Sequence, residues 1–235
     1  GSLAIINFAS NLESLPIGLI GVTIAIVSFG TLAELKSEEN IAAFTLEMKN
    51  NLQKILFLLI PITALMIALR REIVILVLQR GMFSAADAAV TADTLALFLI
   101  GLAFGGIVFL LARGFYALKN TRTPVLIGVA AVLINISVSL VATALFHLNT
   151  YGLGLANSLA DMANALLLIW FLQKRLQGKL IEGKELIKIL LGTGVMLIPV
   201  LGIKFILGDF LSLENFYVET LLLTAPAALI GAIFY

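Results

Sequence analysis

Asp161 is the side chain in this sequence with the most capacity for chemistry. It is the single charge in residues 152–171. An acid in the middle of a membrane-crossing helix costs about 2.5–3.5 kcal/mol on insertion scales, so it turns toward protein or water and away from lipid. Asn157 stands four residues before it and Asn164 three after, a spacing that puts all three on one helix face. Two chemistries fit this stripe. It can line a cavity that binds a cation or a polar substrate group, or it can hydrogen-bond neighbouring helices together, with Asn135 as a further partner.

Arg113 also has two readings. It follows an apolar run, in Arg113-Gly114-Phe115-Tyr116-Ala117. There it is either an interfacial anchor, as Lys174 and Arg175 are, or a contact for an anionic headgroup or phosphate. His147 is the sole histidine and sits beside a short turn, as an interfacial residue. With no cysteine in the chain, disulfides, thiolate metal sites and thiol nucleophiles are excluded. HExxH, a paired-carboxylate motif and a glycine-rich phosphate loop with its lysine are all missing from the sequence. The expectation is a transporter, not an enzyme, with no metal and no cofactor. A net charge of +1 supplies no field for nucleic acid.

The elements that must position these residues are membrane helices. Hydrophobic residues make up 61% of the chain and charged residues 12%, with a mean hydropathy of +1.11. A soluble domain carries about 25% charge. A spanning helix needs roughly 20 mostly apolar residues. The gaps between charges mark seven candidates: 14–33, 55–69, 94–112, 123–146, 152–171, 189–203 and 220–235. The second extends through Leu52 and Gln53, and the sixth to Leu207. Continuous runs such as Ile55-Leu56-Phe57-Leu58-Leu59-Ile60 lack the alternation of barrel strands, so the fold class is an all-α polytopic transmembrane bundle. Pro16, Pro61, Pro199 and Pro226 lie in or beside spans. Pro16 and Pro61 are the hinge candidates, or else simply tolerated kinks. Gly101 and Gly105 have the GxxxG spacing of close helix packing.

The connections set the orientation. The odd-numbered ones hold eleven Lys/Arg and the even-numbered ones four, which places the odd side in the cytoplasm. The first span then enters from outside. Ser37 reads as the cap of an amphipathic helix, with Ile41, Phe44, Met48 and Leu52 on one face, that runs into span two. Ser84-Ala85-Ala86-Asp87 reads as a capping box that starts the third helix. Residues 73–78 are too short to span, and read as the end of helix two or an interfacial turn. The chain opens on Gly1-Ser2-Leu3 without a signal peptide and stops inside an apolar run, so it reads as part of a longer protein.

Four ordered segments carry a resemblance. Leu15-Pro16-Ile17-Gly18-Leu19-Ile20-Gly21-Val22-Thr23-Ile24-Ala25 resembles an LPxGLxGVAIA helix start. Gln79-Arg80-Gly81-Met82-Phe83-Ser84-Ala85-Ala86-Asp87 is similar to an RGxFxxxD segment. Arg113 through Val125 resembles an RxFYAxxDTxTPV loop, and Asn135 with Tyr151-Gly152-Leu153-Gly154-Leu155-Ala156 fits the N…GLALA pattern. Together they resemble the MurJ/MviN-type lipid II flippases of the multidrug/oligosaccharidyl-lipid/polysaccharide exporter superfamily. The resemblance implies two six-helix lobes plus two further helices. Residues 1–177 would be the end of helix seven through helix twelve, and 178–235 the two additional helices, the last cut short. It implies alternating-access movement of an undecaprenyl-pyrophosphate-linked peptidoglycan precursor across the bacterial cytoplasmic membrane. The implied partners are that lipid-linked substrate, membrane lipids, an N-terminal lobe of the same chain and a coupling ion. The family pattern has a cavity-facing arginine where Asn11 stands, a proline where Gly30 stands, and small or apolar residues where Asp161 stands. These departures admit a diverged exporter of drugs or polysaccharide-lipid precursors, or a non-transporting scaffold in envelope assembly.

Overall fold

The computed structural model describes residues 2–78 and 85–210, and among them every regular element is a helix. Helix α1 (Ser2–Pro16) continues through a π-helical segment (Ile17–Val22) into α2 (Thr23–Ser37). The three form one apolar rod, Leu3–Ser37, long enough to cross a membrane. The first span, expected over 14–33, thus lies within a longer rod that already includes the residues before Ser14. The π segment has local causes. Pro16 cannot donate its helix hydrogen bond, and Gly18 and Gly21 give the backbone latitude. The Thr23 hydroxyl donates to the Gly18 carbonyl at 3.3 Å, five residues back.

Helix α3 (Ile41–Ala68) contains both the expected amphipathic segment and span two. Phe44, Met48 and Leu52 are fully buried, as their spacing requires. The cap is Asn40, whose Oδ1 accepts from Ala43 N at 3.0 Å. Ser37, the expected cap, turns its hydroxyl back to the Glu34 carbonyl and closes α2. Past Leu69 the chain starts a new helix, α4 (Arg70–Leu78), in place of the expected helix end or turn. Lys204 secures this junction, donating to the Ala68 carbonyl and pairing with Glu72, both at 2.8 Å.

The third predicted span is two helices, α5 (Ala85–Leu99) and α6 (Leu102–Ala117), bent by 42° at Ile100–Gly101. Ser84 of the expected capping box and residues 79–83 of the second sequence motif lie outside the described residues. Helices α7 (Arg122–Ala144), α8 (Asn149–Leu176) and α9 (Gly183–Phe210) complete the described chain. They match predicted spans four, five and six, and the seventh, 220–235, also lies outside the described residues. Counting the bent pair once, the described residues hold six helical stretches long and apolar enough to cross a membrane.

Helix α6 is the centre of the bundle. It packs against α2, α3, α8 and the π segment. Leu102, Ile107, Leu110, Leu111 and Phe115 on it are buried. Helix α7 rests mainly on α8 and leaves Val125, Leu126, Val129, Val132, Leu133 and Leu140 exposed. Such a face is stable against lipid and not against water.

Candidate functional site

The α8 stripe has a partner that its own helix does not reveal. Asn157 Nδ2 donates to Asp161 Oδ2 at 3.2 Å and reaches both carboxylate oxygens of Glu13 at 3.4 and 3.5 Å. Glu13 comes from α1, 144 residues away, and is only 4% exposed. It sits in an i, i+4 row with Ile5, Ala9 and Ile17 that packs inward. Two acids from different helices therefore share one amide donor. Among the described residues no lysine or arginine forms an ion pair with either acid. Like charges in a low dielectric repel strongly. A proton or a monovalent cation between the acids relieves that repulsion, and the same amide can bolt α1 to α8. Both readings of the stripe thus survive in the geometry.

Room for this cluster comes from the GxxxG pair on α5–α6. A Cβ on Gly105 would lie 3.3 Å from Asp161 Oδ2 and 3.2 Å from Ile17 Cδ1. A Cβ on Gly101 would lie 2.7 Å from Ser158 Cα. Gly101 N donates to Ser158 Oγ at 2.8 Å, and the Ser158 hydroxyl reaches the Phe98 carbonyl at 2.9 Å. At the bend Gly101 N also bonds the Phe98 carbonyl at 3.0 Å, and the Ser158 hydroxyl supplements both groups, so α8 braces the break in the α5–α6 span. One turn on, Gly21 of the π segment meets Gly106, where an added Cβ would stand 2.6 Å from the Gly106 oxygen.

The remaining candidates lie elsewhere. Asn135 takes a long 3.5 Å hydrogen bond from Ser139 on its own helix, and among the described residues no hydrogen bond joins it to the Asp161 cluster. Asn11 is exposed on α1, its carbonyl accepting from the Ser14 hydroxyl at 2.8 Å. With Asn7 and Ser14, both also exposed, it makes a polar row along one side of α1. Asn164 parts from its stripe. It faces a cavity of about 360 Å³ shared with Arg113, and its Oδ1 is buried without a partner among the described residues. The Arg113 guanidinium lies 5.6 Å from the centre of the Phe29 ring. Pro16 borders the π segment, and Pro61 is buried within α3. No group of three or more His, Cys, Asp or Glu among the described residues could hold a metal ion.

Sequence reasoning missed Glu13 and Ser158. Spans had been bounded by charges, which pushed Glu13 to an edge. Its row of Ile5, Ala9 and Ile17 was the available signal. Ser158 had none, because its partners are about 57 residues distant.

Residues 1–226 match the family model described as lipid II flippase MurJ. The probable lipid II flippase MurJ of Thermotoga maritima is 31% identical over 196 residues, covering 83% of this chain and 39% of that protein. The lipid II flippase MurJ of Thermosipho africanus is 27% identical, covering 98% of this chain and 45% of that protein. A solved structure, lipid II flippase MurJ in an inward closed conformation, superimposes with a TM-score of 0.78 at 26% identity. It covers all of this chain, which spans 46% of that one. The chain thus spans less than half the length of these relatives. Together with the apolar helices, these similarities identify a multi-pass membrane protein.

Proposed function

Since the chain belongs to the lipid II flippase MurJ family, we propose that it forms the second lobe and following helices of a transporter for a lipid-linked peptidoglycan precursor. The precursor hangs from undecaprenyl pyrophosphate. It is carried across the bacterial cytoplasmic membrane by alternating access against a first lobe of the same protein. Residues 1–177 make the lobe, and 178–235 the two further helices. The family match over residues 1–226 carries this reading.

The local geometry supports roles for particular residues. The exposed row of Asn7, Asn11 and Ser14 is costly against lipid, so it belongs on a watered cavity wall. Glu13, Asn157 and Asp161 are suited to a coupling proton or cation between α1 and α8. The π segment beside Pro16 gives the first span a place to bend. Pro61, buried in α3, suits a fixed kink better than a moving one.

The test is replacement. The full-length protein is expressed while a bacterial host is depleted of its own lipid II flippase. Restored growth and restored precursor translocation are expected. Loss of viability at normal protein levels would remove the peptidoglycan precursor as cargo. Asn11 favours a second reading in that event. An uncharged side chain at the position of the family arginine suits a carrier of drugs or polysaccharide-lipid precursors. Replacement by Asn11→Arg, where the wild type fails, would separate the two.

A further inference from the structure

The cavity between α6, α7 and α8 is a different place from the acid cluster, and its chemistry differs. Arg113 and Tyr116, near the end of α6, line it with Phe109 one turn further in, and the start of α7 adds Val125 and Gly128. Asn164 joins from about three turns inside α8. The cavity, about 360 Å³, thus sets one guanidinium beside a largely apolar wall. An arginine that merely anchors a helix reaches into headgroups and needs no cavity beside it.

The charges that α6, α7 and the cytoplasmic end of α8 bring to this cavity have one sign, while the acids Glu34, Glu38 and Glu39 stand at the far end of α2. No Asp or Glu occurs anywhere in residues 94–160. The end of α6, the start of α7 and the end of α8 bring Arg113, Lys119, Arg122, Lys174 and Arg175 to the cytoplasmic side. Among the described residues Arg113 has the Phe29 ring as its neighbour and forms no ion pair. A guanidinium presents a planar fork that matches phosphate oxygens. Val125 belongs both to the cavity wall and, with Val129, to the exposed face of α7, the surface suited to acyl chains.

We infer that this groove holds a resident anionic glycerophospholipid of the cytoplasmic leaflet. Its phosphate sits on Arg113, and the first part of an acyl chain lies against Phe109, Val125 and Gly128. The site is separate from transport and does not depend on which cargo the protein carries.

Full-length protein in a neutral detergent is titrated with dioleoylphosphatidylglycerol or dioleoylphosphatidylcholine, and bound lipid is counted by native mass spectrometry. Preferential retention of phosphatidylglycerol is expected. Arg113→Gln should weaken that retention about tenfold, the scale of one lost charge-assisted hydrogen bond. Arg113→Lys should recover part of it. Gly128→Leu should abolish it by filling the groove, and the fold tolerates this change because nothing lies within 4 Å of a Cβ there. Equal retention of the two lipids overturns the inference, as does a wild-type level in either Arg113→Gln or Gly128→Leu. One-for-one displacement of phosphatidylglycerol by a polyprenyl pyrophosphate also overturns it, and gives the groove to the transported lipid. The readout is binding, so failure to support growth in the depletion experiment leaves this result unaffected.

Discussion

At the scale of the residue, Asp161 is informative because its two readings respond differently to a neutral amide. Asp161→Asn keeps a hydrogen-bonding group beside Asn157 but removes the charge. If the cluster only fastens α1 to α8, transport by the full-length protein should survive. A coupling role predicts a fall of roughly tenfold or more, the worth of one charge-assisted contact, with thermal stability little changed. Glu13→Gln should behave alike, because the two acids share one amide donor. Unchanged uptake of a lipid-linked substrate by both variants in proteoliposomes would return the cluster to a purely structural role. The α8 half of this site was legible in the sequence, since i, i+4 spacing is a local property. The α1 half was not. Nothing in residues 1–16 states which helix will lie against Glu13, and a charge taken as a span boundary cannot also be read as a span interior.

Among the elements, close backbone approach sets what can be changed. Gly18 and Gly21 lie in the same π segment but meet different surroundings. A Cβ on Gly21 would press on the Gly106 backbone, whereas one on Gly18 meets nothing within 4 Å. Gly21→Ala should therefore lower stability by about 1–3 kcal/mol, as overpacking does, and Gly18→Ala should be nearly neutral to packing. Thermal unfolding of the two variants in one detergent checks the contrast, and equal midpoints would mean that the Gly21–Gly106 crossing yields freely. The bend between α5 and α6 belongs to this scale too. Hydropathy alone read residues 94–112 as one span, because the apolar content continues through Ile100 and Gly101. The break is stabilised from outside by the Ser158 hydroxyl, a tertiary cap that periodicity does not record. Asn40 replacing Ser37 as the cap of α3 is a milder case, in which neighbouring polar residues compete for one helix start.

For the whole molecule, orientation rests on charge and can be measured directly. Residues 1–235 lack cysteine, so once any thiol elsewhere in the full-length protein is replaced, single introduced thiols report cleanly. Glu38→Cys should react with an impermeant maleimide only from the cytoplasmic side, and Phe146→Cys only from the opposite side. Both sites are exposed. Reaction of both from the same face would break the alternation of spans. Alternating access needs two lobes, so residues 1–235 alone in liposomes should move no lipid-linked substrate. Detectable flux through that preparation would refute the two-lobe scheme. The bundle was readable from composition because lipid demands long apolar helices with satisfied backbones. The packing order around α6 was not, since nearly every helix offers apolar faces of similar quality.

The π segment also has a genetic meaning. A π-bulge is what a helix becomes when it accepts one extra residue without losing its neighbours on either side. Removing one residue from Ile17–Val22 should let the segment heal into an ordinary α-helix. Each residue advances the helix by about 100°, so everything upstream, from Ser2 to Pro16, would turn by that angle against α2. Glu13 would swing away from Asn157, and the row of Asn7, Asn11 and Ser14 would leave its present side of the rod. A single-codon deletion here would act as a rotation of half a helix, and repair should arise from a one-residue insertion nearby more readily than from any substitution in α8.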